Sequence, residues 1–214
     1  MPRTRLEREM DTIRDNLQEM GLLISRDITD AMNSLERRDV DLAENVIKDD
    51  KRINDLYSDL KERCIQTIAL HQPVARDLRF LTIAIDVVYN MERIADYADD
   101  IAEIVYYVRK CPENMKEIRE MGVIAKNITE NAYKSFLEKD LELVAVVEKD
   151  EELMDEFFEK IFPLLKNFVG EKPEALTFAM NMIMVAKYLE RIADHAFNIA
   201  QRTRYAVLGD TKSL

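Results

Sequence analysis

Glycine and proline are scarce in this chain, at four and five among 214 residues. So few turn-forming residues cannot supply the many tight turns of a sandwich or barrel, which argues against an all-β fold. The glycines are isolated, so there is no glycine-rich loop of the kind that cradles phosphate. Tryptophan is absent, and histidine occurs only as His71 and His195. Neither histidine belongs to a Glu-x-x-His pair, the ferritin-like di-iron signature, and neither accompanies a recognisable nucleophile. The two cysteines, Cys64 and Cys111, lack metal-type spacing, so a reducing compartment is expected. Residues 1 to 19 carry charges throughout, so no secretory leader is expected. No run reaches 18 uninterrupted apolar residues; the best candidate, 175–189, is broken by Thr177, Asn181 and Lys187. Basic residues are outnumbered, 31 against 42 acids, for a net charge of −11. That balance disfavours nucleic acid and anionic lipid as partners. The lysines and arginines are spread along the chain, and no basic face is visible.

What the chain does have is a repeat. Glu92-Arg93-Ile94-Ala95-Asp96 recurs 98 residues later as Glu190-Arg191-Ile192-Ala193-Asp194. Ala98, Ile101 and Ala102 recur as Ala196, Ile199 and Ala200, and Phe80 as Phe178. A period near half the chain predicts two copies of one structural unit. Residues four apart share a helical face, so Glu92, Asp96 and Asp100 stack in the first copy, and Glu190, Asp194 and Asn198 in the second. Like charges at that spacing cost a helix about 0.2–0.5 kcal/mol per pair. Such a face is either simply solvated or built for a hard cation held by oxygen ligands. Arg93 and Arg191 fall off it, and its occurrence at the same place in both copies favours the cation.

The periodicity predicts an all-α protein: two tandem, pseudo-symmetric three-helix bundles made of six long antiparallel helices. Leu6, Met10, Ile13, Leu17 and Met20 mark the first helix, from residue 4 to about 36, with Gly21 allowing a close helix contact. Asp39 is a candidate N-cap for the second, which runs to about Leu70. Pro73 opens the third, and Pro112 ends the first unit. The second unit follows at an offset of 101 (Glu19-Met20-Gly21 to Glu120-Met121-Gly122, Asp39 to Asp140). The offset then reads as 100 (Asp50 to Asp150, Asp55 to Asp155) and 98 after the break at Gly170–Pro173. Pro163 should kink the fifth helix. The expected units are 1–111 and 112–208, with a disordered tail at 209–214. Measured from the turn near Gln72, Asp50 is level with Ile94, and measured from Glu171, Asp150 is level with Ile192. Each half then adds a second-helix carboxylate to the acids of the third. His195 points away from the acid face and is read as a structural or surface residue rather than a ligand. Met180, Met182 and Met184 are read as core filling.

Two repeats of three helices with this pentapeptide in the third resemble the PhoU family. The segment Pro73-Val74-Ala75-Arg76-Asp77-Leu78-Arg79 is similar to the family's third-helix opening, and the likeness covers about residues 4 to 207. The resemblance implies a cytoplasmic, usually dimeric, non-enzymatic negative regulator. Its implied partners are the ATPase of a phosphate-specific ABC transporter and a linked sensor histidine kinase. It also implies divalent or trivalent metal ions, including multinuclear iron clusters, with zinc, nickel or manganese as other candidates. The implied ligands are Glu92 with Asp96 and Glu190 with Asp194, joined by Asp50 and Asp150. Four residues beyond these last two, Asn54 and Met154 stand where an acid is common in the family. The alternatives are a carboxylate-bridged metalloenzyme on a helical bundle, or a metal-free helical interaction module.

Overall fold

Helix starts are written into the sequence as caps. In this computed structural model, which describes residues 4–108 and 114–209, α1 (Arg5–Arg37) opens at Thr4. The Thr4 hydroxyl accepts the Glu7 N–H and the Glu7 carboxylate accepts the Thr4 N–H, a capping box. α2 (Val40–His71) is capped by Asp39, which accepts the Leu42 N–H. α5 (Leu141–Glu171) is capped by Asp140, which accepts the N–H groups of Glu142 and Leu143. The residues before these caps, Arg38 and Lys139, are left-handed at φ 60° and 58° and close the preceding helices. The same turn, a left-handed residue followed by aspartate, thus joins α1 to α2 and α4 (Lys116–Glu138) to α5. α3 (Ala75–Val108) follows the Pro73 break, and a 3-10 turn at Pro173–Ala175 leads into α6 (Leu176–Leu208). α5 is uninterrupted through Pro163, whose missing N–H removes one rung of the helix ladder. Cys111, Pro112 and the tail from residue 210 lie outside the described residues.

α2 packs on α1 and α3, and α5 packs on α4 and α6, so each repeat is a three-helix unit. The repeats join through α1 against α4 and α3 against α6, and one buried core runs through both. The join has approximate twofold symmetry. A Cβ added to Gly21 would lie 2.7 Å from the Tyr133 ring, and one added to Gly122 would lie 2.8 Å from Met32. Met32 and Tyr133 are equivalent at the offset of 101, so the two contacts are reciprocal. Between α3 and α6, His195 Nδ1 meets Asn90 Oδ1 at 2.8 Å, while Tyr97 and Tyr188 stack at 5.9 Å. At the offset of 98 these two pairs also exchange. His195 is therefore a link between repeats. Burial, with Arg93 and Arg191 nearby, holds its pKa below the ordinary value.

One expectation fails in part. Met182 is core, 2% exposed, but Met180 and Met184 are 61% and 45% exposed and form an apolar ridge with Leu176. A spacing of four from Leu176 to Met184 puts all three on the outer face of α6. Among the described residues no helix is long and apolar enough to cross a membrane.

The α1/α4 contact makes a prediction that opposes helix propensity. Gly21→Ala gains about 1 kcal/mol of intrinsic propensity, yet it drives a methyl into a buried ring. Overpacking of this kind costs about 1–3 kcal/mol. A lowered urea midpoint for Gly21→Ala, partly restored by adding Tyr133→Leu, is the expected outcome. A raised midpoint would show that the helices are not in this contact.

Candidate metal centre

The repeated acids stand where the antiparallel geometry puts them. Glu92 and Asp96 lie one turn apart on the half-buried side of α3, facing α2. Asp50 of α2 raises the pKa of Glu92, and Asp96 raises that of Asp50, each beside a larger effect of burial. Asp100 is also raised, by burial, Glu103 and Asp96. The acid most affected was not anticipated. Asp99 is pushed up to about 6 by burial and by Asp50, Glu103, Asp100 and Asp96. Seven residues from Glu92 is two helical turns, so Asp99 lies on the ridge facing α2. A reading by fours alone selects Asp100 and passes over it. Two buried side-chain oxygens in the described residues have no hydrogen-bond partner, Asp50 Oδ1 and Asp99 Oδ1. Both belong to this cluster.

In the second repeat the register needs correcting. Ala43, Val46, Ile53 and Leu60 of α2 are buried, and so are Val144, Val147, Met154 and Ile161 of α5. These pairs keep the offset of 101 set by the caps, so the step to 100 does not occur. Asp50 corresponds to Glu151, Asp150 to Asp49, and Asn54 to Asp155. The electrostatics agree: Glu151 is raised by burial, then by Asp155, Asp194, Glu152 and Glu190, whereas Asp150 is raised by burial alone. Glu151 was missed, and Asp155 was matched to Asp55 rather than to Asn54, because a run of acids from Asp150 to Glu152 supports more than one alignment. The burial pattern carried the signal. The departure at Asn54 belongs to the first repeat alone, where its amide donates to Asp50 Oδ2 at 2.7 Å. Asn198 is exposed on α6.

The arginines of the pentapeptide do reach the acids, contrary to expectation. Arg93 contacts Glu92 at 2.9 Å and Asp96 at 3.0 Å. Arg191 contacts Asp194 at 3.0 Å and Glu190 at 3.7 Å, and Lys187 holds Glu190 at 2.7 Å. A long side chain folds back along the helix and partly offsets the repulsion. With the side chains so placed, no three acidic, histidine or cysteine groups converge at metal-ligand spacing among the described residues. Cys64 is buried, with its thiol pushed up to about 12, and takes no part. The donors are therefore carboxylates alone, a set suited to hard cations. The two orphaned oxygens are the observation that fits a cation in the first repeat.

The family model described as the PhoU domain matches residues 17–105 and again 118–203. A phosphate-specific transport system accessory protein PhoU homolog from Clostridium acetobutylicum is 31% identical over 212 residues, covering 98% of this chain and 97% of that one. One from Pseudomonas aeruginosa is 30% identical over 204 residues, covering 94% and 84%. The crystal structure of PhoU from Pseudomonas aeruginosa superposes with a TM-score of 0.91 at 30% identity, covering 96% of this chain and all of that one. That of the phosphate transport system regulatory protein PhoU from Streptococcus pneumoniae gives 0.86 at 22%, a likeness of fold.

The raised carboxyls set a pH dependence for metal-free protein. The folded chain holds a proton on Asp99 up to about pH 6, whereas the unfolded chain releases it near 3.8. The folded state binds more protons in that window, so stability falls as pH rises through it. Asp99→Asn is expected to be more stable than the parent near neutrality and to show a shallower slope. Asp27 of α1, also pushed up to about 6 by burial, supplies part of the slope that remains. Urea unfolding across that pH range in chelator checks this; an unchanged slope in Asp99→Asn would refute it.

Proposed function

The chain belongs to the PhoU family, and on that footing we propose that it is a non-enzymatic regulator of phosphate transport that holds metal on its two acidic faces. The relatives bearing that family name are called accessory proteins of phosphate-specific transport systems. In this reading the chain works in the cytoplasm, as a homodimer, and damps uptake when phosphate is plentiful. It does so by docking on the ATPase of a phosphate-specific ABC transporter and on any linked sensor histidine kinase.

The observation that carries the metal half is the pair of buried oxygens, Asp50 Oδ1 and Asp99 Oδ1, that lack partners within a group of raised carboxyls. Desolvated acids without partners are costly, and a bound cation offsets that cost. Asp50, Glu92, Asp96 and Asp99, with Asp100 beside them, would hold it in the first repeat. Glu151, Asp155, Glu190 and Asp194 would do so in the second, with Asp150 and Asn198 outside the set. Iron, as a multinuclear cluster, is the metal proposed, with zinc, nickel or manganese as substitutes. The metal would supply positive charge that ties α2 to α3 and α5 to α6. Arg93 and Arg191 are the side chains that would give way to it.

Metal content by mass spectrometry tests this on protein purified without an affinity tag. Asp96→Ala and Asp194→Ala are each expected to lose about half of the bound metal. Asp155→Ala should lose as much as Asp194→Ala, while Asp150→Ala should lose little. Metal-free protein that refuses added iron would remove the metal half. Failure to co-purify with the transporter ATPase at high phosphate would remove the docking half.

A further inference from the structure

We propose that the hollow between the start of α3 and the ends of α4 and α6 binds a small, multiply charged oxyanion such as inorganic phosphate. It has a volume of about 240 Å³ and is lined by Arg76, Arg79, Lys139, Phe80, Phe136 and Thr203, among others. The scattered basic residues of the sequence are gathered here by the fold. Most arginines of this acidic protein close on carboxylates, as Arg52 does on Glu19 and Arg63 on Glu9. No ion pair closes on Arg76, Arg79 or Lys139 among the described residues.

Three observations separate this hollow from ordinary surface charge. First, Arg76 and Arg79 sit in the opening turns of α3, the positive end of the helix dipole. Cations there work against helix stability, Asp77 in the same turn offsets part of that cost, and an anion would relieve the rest. Second, the fold does not need them. At the offset of 98 the other repeat has Glu174 and Thr177 in their places, while Phe178 keeps the position of Phe80. Third, the site is prepared. The Arg79 guanidinium lies 5.9 Å over the Tyr205 ring. Arg79 Nη1 also lies against Gly209, the left-handed cap that closes α6 at φ 71°. Phe80 and Phe136, stacked at 5.1 Å, form an apolar floor that strengthens nearby charge interactions. Arg76 and Lys139, both exposed, flank the half-buried Arg79 at the starts and ends of their helices.

The chemistry sets the ligand class. Two guanidinium forks and an ammonium match a tetrahedral oxyanion. The volume lies below the roughly 300–1,000 Å³ typical of drug-sized ligands, so the anion is small. The site is remote from the acids: Glu92 is 16 residues beyond Arg76, about 24 Å along α3 at 1.5 Å per residue. It stands on its own charges and does not need the metal reading.

Equilibrium dialysis of the chelator-treated full chain against radiolabelled inorganic phosphate, at low ionic strength, is the test. One saturable site is expected. Arg76→Gln and Arg79→Gln should each weaken it about tenfold, and the double variant should abolish it. Lys160→Gln, the same charge change on exposed α5, should leave it unchanged, and the chelator keeps this result separate from that of the metal. No saturable binding at millimolar phosphate, or equal weakening by Lys160→Gln, would overturn the proposal.

Discussion

The close approach of α1 to α4 is the constraint on which the arrangement of the two repeats rests. Each helix carries one glycine that admits a bulky side chain from the other, Tyr133 at Gly21 and Met32 at Gly122. That contact fixes the distance between the repeats and so the height at which α3 meets α6. There His195 pairs with Asn90, and Tyr97 stacks on Tyr188. With α3 and α6 back to back, their acidic ridges turn outward, toward α2 and α5. The acid clusters are thus held on opposite flanks of the join, whose own acids, Glu36 and Asp86, are paired across it with Arg119 and Arg202.

The symmetry is kept in which positions are buried and relaxed on the surface. Buried positions recur in place more than in kind, as Ala43, Val46, Ile53 and Leu60 do at Val144, Val147, Met154 and Ile161, because each helix turns one apolar face to the core. The charged faces do not. The first repeat has Asp99 and Asn54 where the second has Phe197 and Asp155. The first opens its third helix with Arg76 and Arg79, the second with Glu174 and Thr177. Two copies of one scaffold can diverge in this way because charge on an exposed face costs little, whereas a misplaced methylene in the core costs a great deal.

The architecture was legible in the sequence because its determinants are local. Caps at Asp39 and Asp140, breaks at Pro73 and Pro173, and heptad-like apolar spacing mark out the helices, and the expected ends near 36 and Leu70 fall at Arg37 and His71. The acid pairs on α3 and α6 were legible because the pentapeptide fixes its own register. The α5 ligand candidates were not, since acids flank Glu151 on both sides and identity of residue type alone favoured Asp150. Burial, which repeats at a constant 101 from Ala43 to Leu60, is the better ruler, because a helix cannot slip by one residue without rotating its core face by about 100°. The basic hollow was illegible for a different reason. Arg76 and Lys139 are 63 residues apart, and only the packing of α3 against the ends of α4 and α6 brings them together. Met180 and Met184 misled because side-chain type suggests burial, while position on the helix decides it.

The two charged regions of α3 share one helix and follow opposite electrostatic logic. Its first turns hold cations near the positive dipole end, and its middle holds acids that burial has raised. Both arrangements oppose what a helix selected for stability alone would adopt. The destabilisation is tolerated because the apolar face of α3, from Phe80 to Val108, is buried along its length against α1, α2 and α6. A helix anchored so firmly can carry unfavourable charge at two places without fraying. At each place a ligand of the opposite sign, as proposed, would relieve a repulsion that is built in beforehand.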